Sequence, residues 1–203
     1  MKSTVCTDDE ICLNLDEYFT KTDVLSFGED KNSDIGRNNE LFVTAIKYMF
    51  SNKLNSFKKI VKRNISMINR MSDNGLYLLH LACYNKKHDF VIFLLSMNAD
   101  SNTKDHLGKK APHYAVMSED SQIINILISH GIDVNIQDSD GDTPLHYAVS
   151  NNDYKMIKTL IGHNVNPLIE NNNKMIALDY SLANKQILKK LSIYITDYTK
   201  YHI

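Results

Sequence analysis

The chain has no tryptophan, and its 203 residues include only three prolines, three cysteines and seven glycines. So little turn-forming material argues against a sandwich of many short strands and for helices. Cys6, Cys12 and Cys83 show no C-x-x-C spacing and cannot all pair, so a reducing compartment is expected, the cytoplasm and with it the nucleus. The start, Met1 to Glu10, lacks the apolar stretch of a signal peptide. The longest aliphatic run, Val91 to Leu95, is too short to span a bilayer, so a soluble chain without membrane contact is expected. Neither sign of charge dominates: 23 Lys+Arg face 24 Asp+Glu, which gives no general basis for nucleic-acid binding. Apolar residues, at 43%, suffice for a core.

What the chain does have is a period. Gly75, Gly108 and Gly141 stand 33 residues apart, as do His80, His113 and His146, and Ala82, Ala115 and Ala148. Self-similarity at a fixed period marks stacked repeat units. The segment Asp138-Ser-Asp-Gly-Asp-Thr-Pro-Leu-His-Tyr-Ala148 and the exit His130-Gly-Ile-Asp-Val-Asn135 resemble the ankyrin repeat, with its D-x-x-G-x-T-P-L-H-x-A turn and helix and its G-x-D-V-N close. The resemblance implies an all-α solenoid of stacked helix pairs with β-hairpin-like turns. Extending the period outward divides 39–203 into 39–71 (degenerate), 72–104, 105–137, 138–170 and a shortened cap, 171–203. Asn52 and Phe57 mirror Asn85 and Phe90 in the first of these, while Ile187, Leu188 and Leu191 supply a shortened second helix in the last. Lys185, Lys189 and Lys190 suggest a polar outer face there. The Asn- and Lys-rich composition, with Lys (20) far above Arg (3), suggests an AT-rich genome, and with its short array the chain is similar to the short ankyrin proteins of large DNA viruses and some intracellular parasites.

Helical spacing supports the pattern. Met156, Ile157, Leu160 and Ile161 form one apolar stripe, repeated by Ile123, Ile124, Leu127 and Ile128 and by Phe90, Val91, Leu94 and Leu95. Thr143 is placed to cap the first helix of its unit, with Pro144 in the first turn. In unit 105–137, Lys110 replaces that Thr and Pro112 comes one place later, so the weakest first helix of the central repeats is expected here. Residues 1–38 carry nine acids and four bases. A flexible acidic flank is expected, with a short helix over Ile11–Phe19 and a polar linker from Gly28 to Asn39.

Catalytic and metal signatures are missing. There is no H-E-x-x-H, G-x-S-x-G, G-x-x-x-x-G-K-[ST] or G-x-G-x-x-G, so neither an enzyme nor a cofactor or metal site is expected. The family resemblance makes His80, His113 and His146 turn-to-turn hydrogen-bonding groups, and Cys83 reads as a small core residue. It also implies that Asn135 occupies the position hydroxylated by animal asparaginyl hydroxylases, although such an Asn habitually hydrogen-bonds its own loop.

The resemblance places partner binding on hairpin tips and exposed first-helix positions. By register these are Asp73, Asn74, Leu76, Tyr84 and Asn85, then His106, Leu107, Lys109, Met117 and Ser118, then Ser139, Asp140, Asp142, Ser150 and Asn151. Leu76, Tyr84, Leu107 and Met117 are apolar groups expected to face solvent, ringed by polar neighbours, which is the make-up of a contact hot spot. The expectation is a monomer that captures a protein partner of unknown identity. Two readings follow from likeness alone: a modulator of host signalling that mimics an inhibitor of Rel/NF-κB factors, and an intracellular adaptor or assembly chaperone.

Overall fold

A computed structural model describes residues 34–72, 75–181 and 184–202, and a boundary between Lys47 and Tyr48 separates two units. The expected Ile11–Phe19 helix and acidic flank, and the tip residues Asp73 and Asn74, lie outside the described residues. Of the first unit, residues 34–47 are described. Helix α1 spans Asp34–Phe50, so the end of the expected 28–39 linker is helical.

Beyond Tyr48, α2 (Leu54–Arg63) leads through a 3-10 turn at Ile65–Met67 into three helix pairs. These are α3 (Leu78–Tyr84) with α4 (His88–Ser96), α5 (Ala111–Met117) with α6 (Ser121–Ser129), and α7 (Pro144–Ser150) with α8 (Tyr154–Gly162). A 3-10 helix, Ala177–Ser181, and α9 (Lys185–His202) follow. First helices stack α3 on α5 on α7 on the 3-10 helix, and second helices stack α2 on α4 on α6 on α8. Being flanked on both sides, the first helices are buried almost all round: every residue of α5 except Met117 is buried. The second helices bury one stripe each. Phe90, Val91 and Leu94, then Ile123, Ile124 and Leu127, then Met156, Ile157 and Leu160 are interior, as their spacing predicts. The Phe57 ring joins this stack edge-on to Phe90, with centroids 4.9 Å apart.

Two of the second helices, α6 and α8, start at aspartate caps, whereas α2 and α4 have Lys53 and Lys87 there without a side-chain bond. Oδ1 of Asp120 accepts from the Gln122 N–H at 3.0 Å, and Oδ1 of Asp153 from Met156 at 2.9 Å. The next cap, Asn184, comes 31 rather than 33 residues after Asp153. Those two missing residues leave room only for a tight 3-10 turn where α3, α5 and α7 have full helices. The expected shortening of the last second helix is not found: α9 has 18 residues, against nine in α8.

Two further expectations are corrected. Among the described residues there is no strand, so the tips are turns without hairpin ladders. Neighbouring tips exchange isolated backbone bonds instead, Ser139 N–H to the Leu107 carbonyl and Asn172 N–H to that of Asp140, both 3.0 Å. The weak point also moves. Lys110 still donates its N–H to Nδ1 of His113 at 3.1 Å, as Thr143 does to His146. In α3 the cap position is Tyr77, and Nδ1 of His80 is buried without a partner. Helix α3, not α5, has therefore lost most of its start signal.

Candidate protein-binding surface

Each tip is organised by one side chain. Oδ1 of Asp105 accepts the N–H groups of Leu107 (2.9 Å) and Lys109 (2.7 Å). Asp138 does the same for Asp140 (3.0 Å) and Asp142 (2.9 Å). Asn171 follows with Asn173 (2.9 Å) and Met175 (3.1 Å). Such Asx turns fold the loop back without a strand. The second carboxylate oxygen is held from the first helix: the Tyr114 hydroxyl donates to Oδ2 of Asp105 at 2.5 Å, and that of Tyr147 to Oδ2 of Asp138 at 2.6 Å. Burial first, then the adjacent carboxylate, pushes both phenols above their ordinary range, so they remain donors. Near the array's end, Asn171 Nδ2 donates to the Tyr180 hydroxyl at 2.9 Å. The clasp was legible: Tyr114, Tyr147 and Tyr180 recur at 33, nine residues after Asp105, Asp138 and Asn171.

The histidines tie one unit to the next. His113 Nε2 lies 3.1 Å from the Asp142 carbonyl, and His146 Nε2 3.1 Å from that of Met175. Because Nδ1 of each accepts a backbone N–H, Nε2 carries the proton and donates. His80 departs from this register. Its Nε2 bonds the Thr103 carbonyl at 3.1 Å, and its ring stacks on Tyr114 with centroids 4.8 Å apart. Burial lowers the pKa of His80 and of His113 to about 4, so both are neutral at neutral pH.

Tips also nest closely. Gly141 has φ +80°, and a Cβ there would stand 2.8 Å from the Asn172 backbone nitrogen. Glycine is needed both for conformation and for space. His106 packs its ring over Gly75 in the same way.

The expected contact residues divide. Leu76 is buried, at 4% exposure, and does not face solvent; burying its apolar area is favourable by about 25 cal/mol per Å2. Ser118 is buried too, with its hydroxyl donating to the Ala115 carbonyl. Leu107 is 39% exposed at the tip and His106 is exposed beside it. Lys109 is half-buried, its Nζ 5.1 Å above the Tyr147 ring. Tyr84 is half-buried and edge-on to Tyr114 at 6.3 Å, while Met117 is half-buried at the end of α5. Through Tyr114 the 105–109 tip and Tyr84 are brought together. Asn85, Asp142 and Asn135 are half-buried, and Ser139, Asp140, Ser150 and Asn151 are exposed. Oδ1 of Asn135 accepts the Asn166 N–H at 2.7 Å, linking its unit to the next. Cys83 is buried, and burial pushes its thiol up.

Residues 74–106 match the family model described as "Ankyrin repeat", and residues 112–161 the one described as "Ankyrin repeats (many copies)". These stretches carry ankyrin repeats. The ankyrin matches take in α3, α4 and most of the next two helix pairs, the part of the chain where the buried histidines and the Tyr–Asp clasps recur. No curated protein matches the chain. Among the described residues no group of three or more His, Cys, Asp or Glu side chains could hold a metal ion, and no helix is long and apolar enough to cross a membrane.

Proposed function

We propose that this ankyrin-repeat chain is a non-catalytic protein-capture module of the cytoplasm or nucleus, acting as a monomer, and that its partner meets the 105–109 tip together with Tyr84 and Met117. The observation that carries the reading is Leu107, an apolar side chain held out at a tip that Asp105, Tyr114 and the neighbouring tip fix rigidly. A preorganised apolar group loses little freedom on binding, which is where affinity is gained. His106 and Lys109 supply the polar rim.

Residues shared by the three tips build the turns, whereas Leu107 and Tyr84 differ from their counterparts one unit on, Asp140 and Met117. The narrower reading is a modulator of host signalling that imitates an inhibitor of Rel/NF-κB factors, in the manner of short viral arrays.

The test compares the protein with a Leu107→Asp/Tyr84→Ala variant in affinity capture from cell extract, with thermal melts of both. Proteins retained by the parent and lost by an equally stable variant support the surface; identical captures refute it. A mobility-shift assay with Rel dimers on κB-site DNA tests the narrower reading, which fails if the protein leaves the shifted band unchanged.

A further inference from the structure

The two-residue shortening before Asn184 changes how the last second helix sits. Helix α9 is not among the second helices that pack closely, and between it and α8 lies a groove of about 480 Å3. It is lined by Tyr154 and Ile161 from α8 and by Ile193, Tyr194, Lys189, Lys190 and Asp197 from α9. The α9 lining runs from Gln186 to Asp197 along one helical face. That is about 16 Å, or three helical turns, at about 1.5 Å per residue.

The walls are fixed. The Tyr194 hydroxyl donates to the Val165 carbonyl at 2.7 Å, and Lys190 Nζ donates to the Tyr154 hydroxyl at 2.9 Å while lying 4.7 Å over that ring. With its polar end satisfied, the Tyr194 ring presents carbon to the groove, while the Tyr154 ring carries the Lys190 ammonium on one face. Ile193 is 55% exposed there, so the outer face expected to be polar carries an apolar recess. The charge around it is mostly positive, although Asp197 is part of the lining. Helices α8 and α9 together hold six lysines (Lys155, Lys158, Lys185, Lys189, Lys190 and Lys200) and one acid, Asp197.

We propose that this groove binds an acidic amphipathic helix of a partner protein, separately from the 105–109 tip. Apolar side chains at i, i+3 or i+4, and i+7 of such a helix fill the recess between the two tyrosines, and its carboxylates meet Lys189 and the other lysines that α8 and α9 carry. The apolar groups line a recess between two helices instead of projecting from the surface, which suits a segment of chain better than a lipid surface.

The probe is a fluorescent peptide of about sixteen residues, long enough for the three-turn recess, with Leu at those spacings and Glu elsewhere. A control peptide has Lys in place of Glu. By anisotropy, the acidic peptide is expected to saturate the full chain and to lose about tenfold in affinity between about 50 and 300 mM salt. Ile193→Glu and Lys189→Glu, both at exposed positions, are each expected to weaken it about tenfold or more with an unchanged circular-dichroism spectrum. Leu107→Asp is expected to bind the peptide as the parent does, which separates this site from the proposed capture surface. The proposal is overturned if neither peptide binds, if both bind alike, or if the two groove variants bind as the parent. Stronger association with phosphatidylserine vesicles than with the peptide, or groove-dependent dimerisation in sedimentation, also overturns it.

Discussion

The Tyr147 hydroxyl donates a 2.6 Å hydrogen bond to Oδ2 of Asp138, a residue whose other carboxylate oxygen already holds two N–H groups of its tip. One side chain of the first helix thereby fixes the loop that a partner must meet. Tyr147→Phe removes the clasp while keeping the ring. A bond to a charged group contributes about 1.5–3 kcal/mol, so urea unfolding should show a loss of that size. Tyr114→Phe should lose a similar amount, and unchanged midpoints in both variants would contradict the clasp.

Lys174 takes the glycine position of the last tip, with φ +60° where Gly141 has +80°. A side chain in that region costs about 1–2 kcal/mol, partly offset by the freedom glycine adds to the unfolded chain. The 3.6 Å pairing of Lys174 with Glu170 joins two exposed groups and contributes little. Lys174→Gly should therefore raise stability by about 0.5–1 kcal/mol. Gly141→Ala, which drives a Cβ towards the Asn172 backbone, should lower it by more than that. Thermal melts of the pair check both signs.

His80 and His113 sit at about 4 in the folded protein, because burial disfavours their charge, against 6.5 when exposed. Between those values the unfolded chain binds a proton that the folded chain does not. Stability therefore falls as pH drops from about 6.5 towards 4, and this contribution levels off below. Each histidine accounts for at most on the order of 3 kcal/mol. A series of urea titrations across this range should slope as described, and His113→Gln should flatten it. A slope unchanged by that variant would count against the assignment.

Helix α3 begins at Tyr77 with no side-chain cap, and its His80 Nδ1 has no partner. In α7 the corresponding nitrogen lies 2.8 Å from the Thr143 hydroxyl and accepts the Thr143 N–H. Amides of 78–84 should exchange with deuterium sooner than those of 144–150. Installing the missing hydroxyl one unit on, Lys110→Thr, should add about 0.5–1 kcal/mol. Equal protection of the two helices would remove the argument.

Much of the array was legible because its residues answer to local rules. The apolar stripes at 90–94, 123–127 and 156–160 bury as their spacing requires, and Gly75, Gly108 and Gly141 fall where φ turns positive. The contact surface was less legible. Leu76 and Leu107 hold nearby places in successive tips, yet one is buried and the other exposed. The Tyr–Asp pair recurs visibly nine residues apart, but its meaning as a clasp depends on a loop and a helix folding together.

The amino-acid order by itself determined the period and the stripes that must leave water, since the first is a repetition of residue types and the second depends on neighbours within a few turns of chain. Only the stacking decided which carbonyl His80 reaches, which leucine stays in solvent and how far α9 stands from α8. Those outcomes depend on distances between units, and a shortening of two residues before Asn184 or one altered cap at Tyr77 shifts them while leaving the repeat pattern intact.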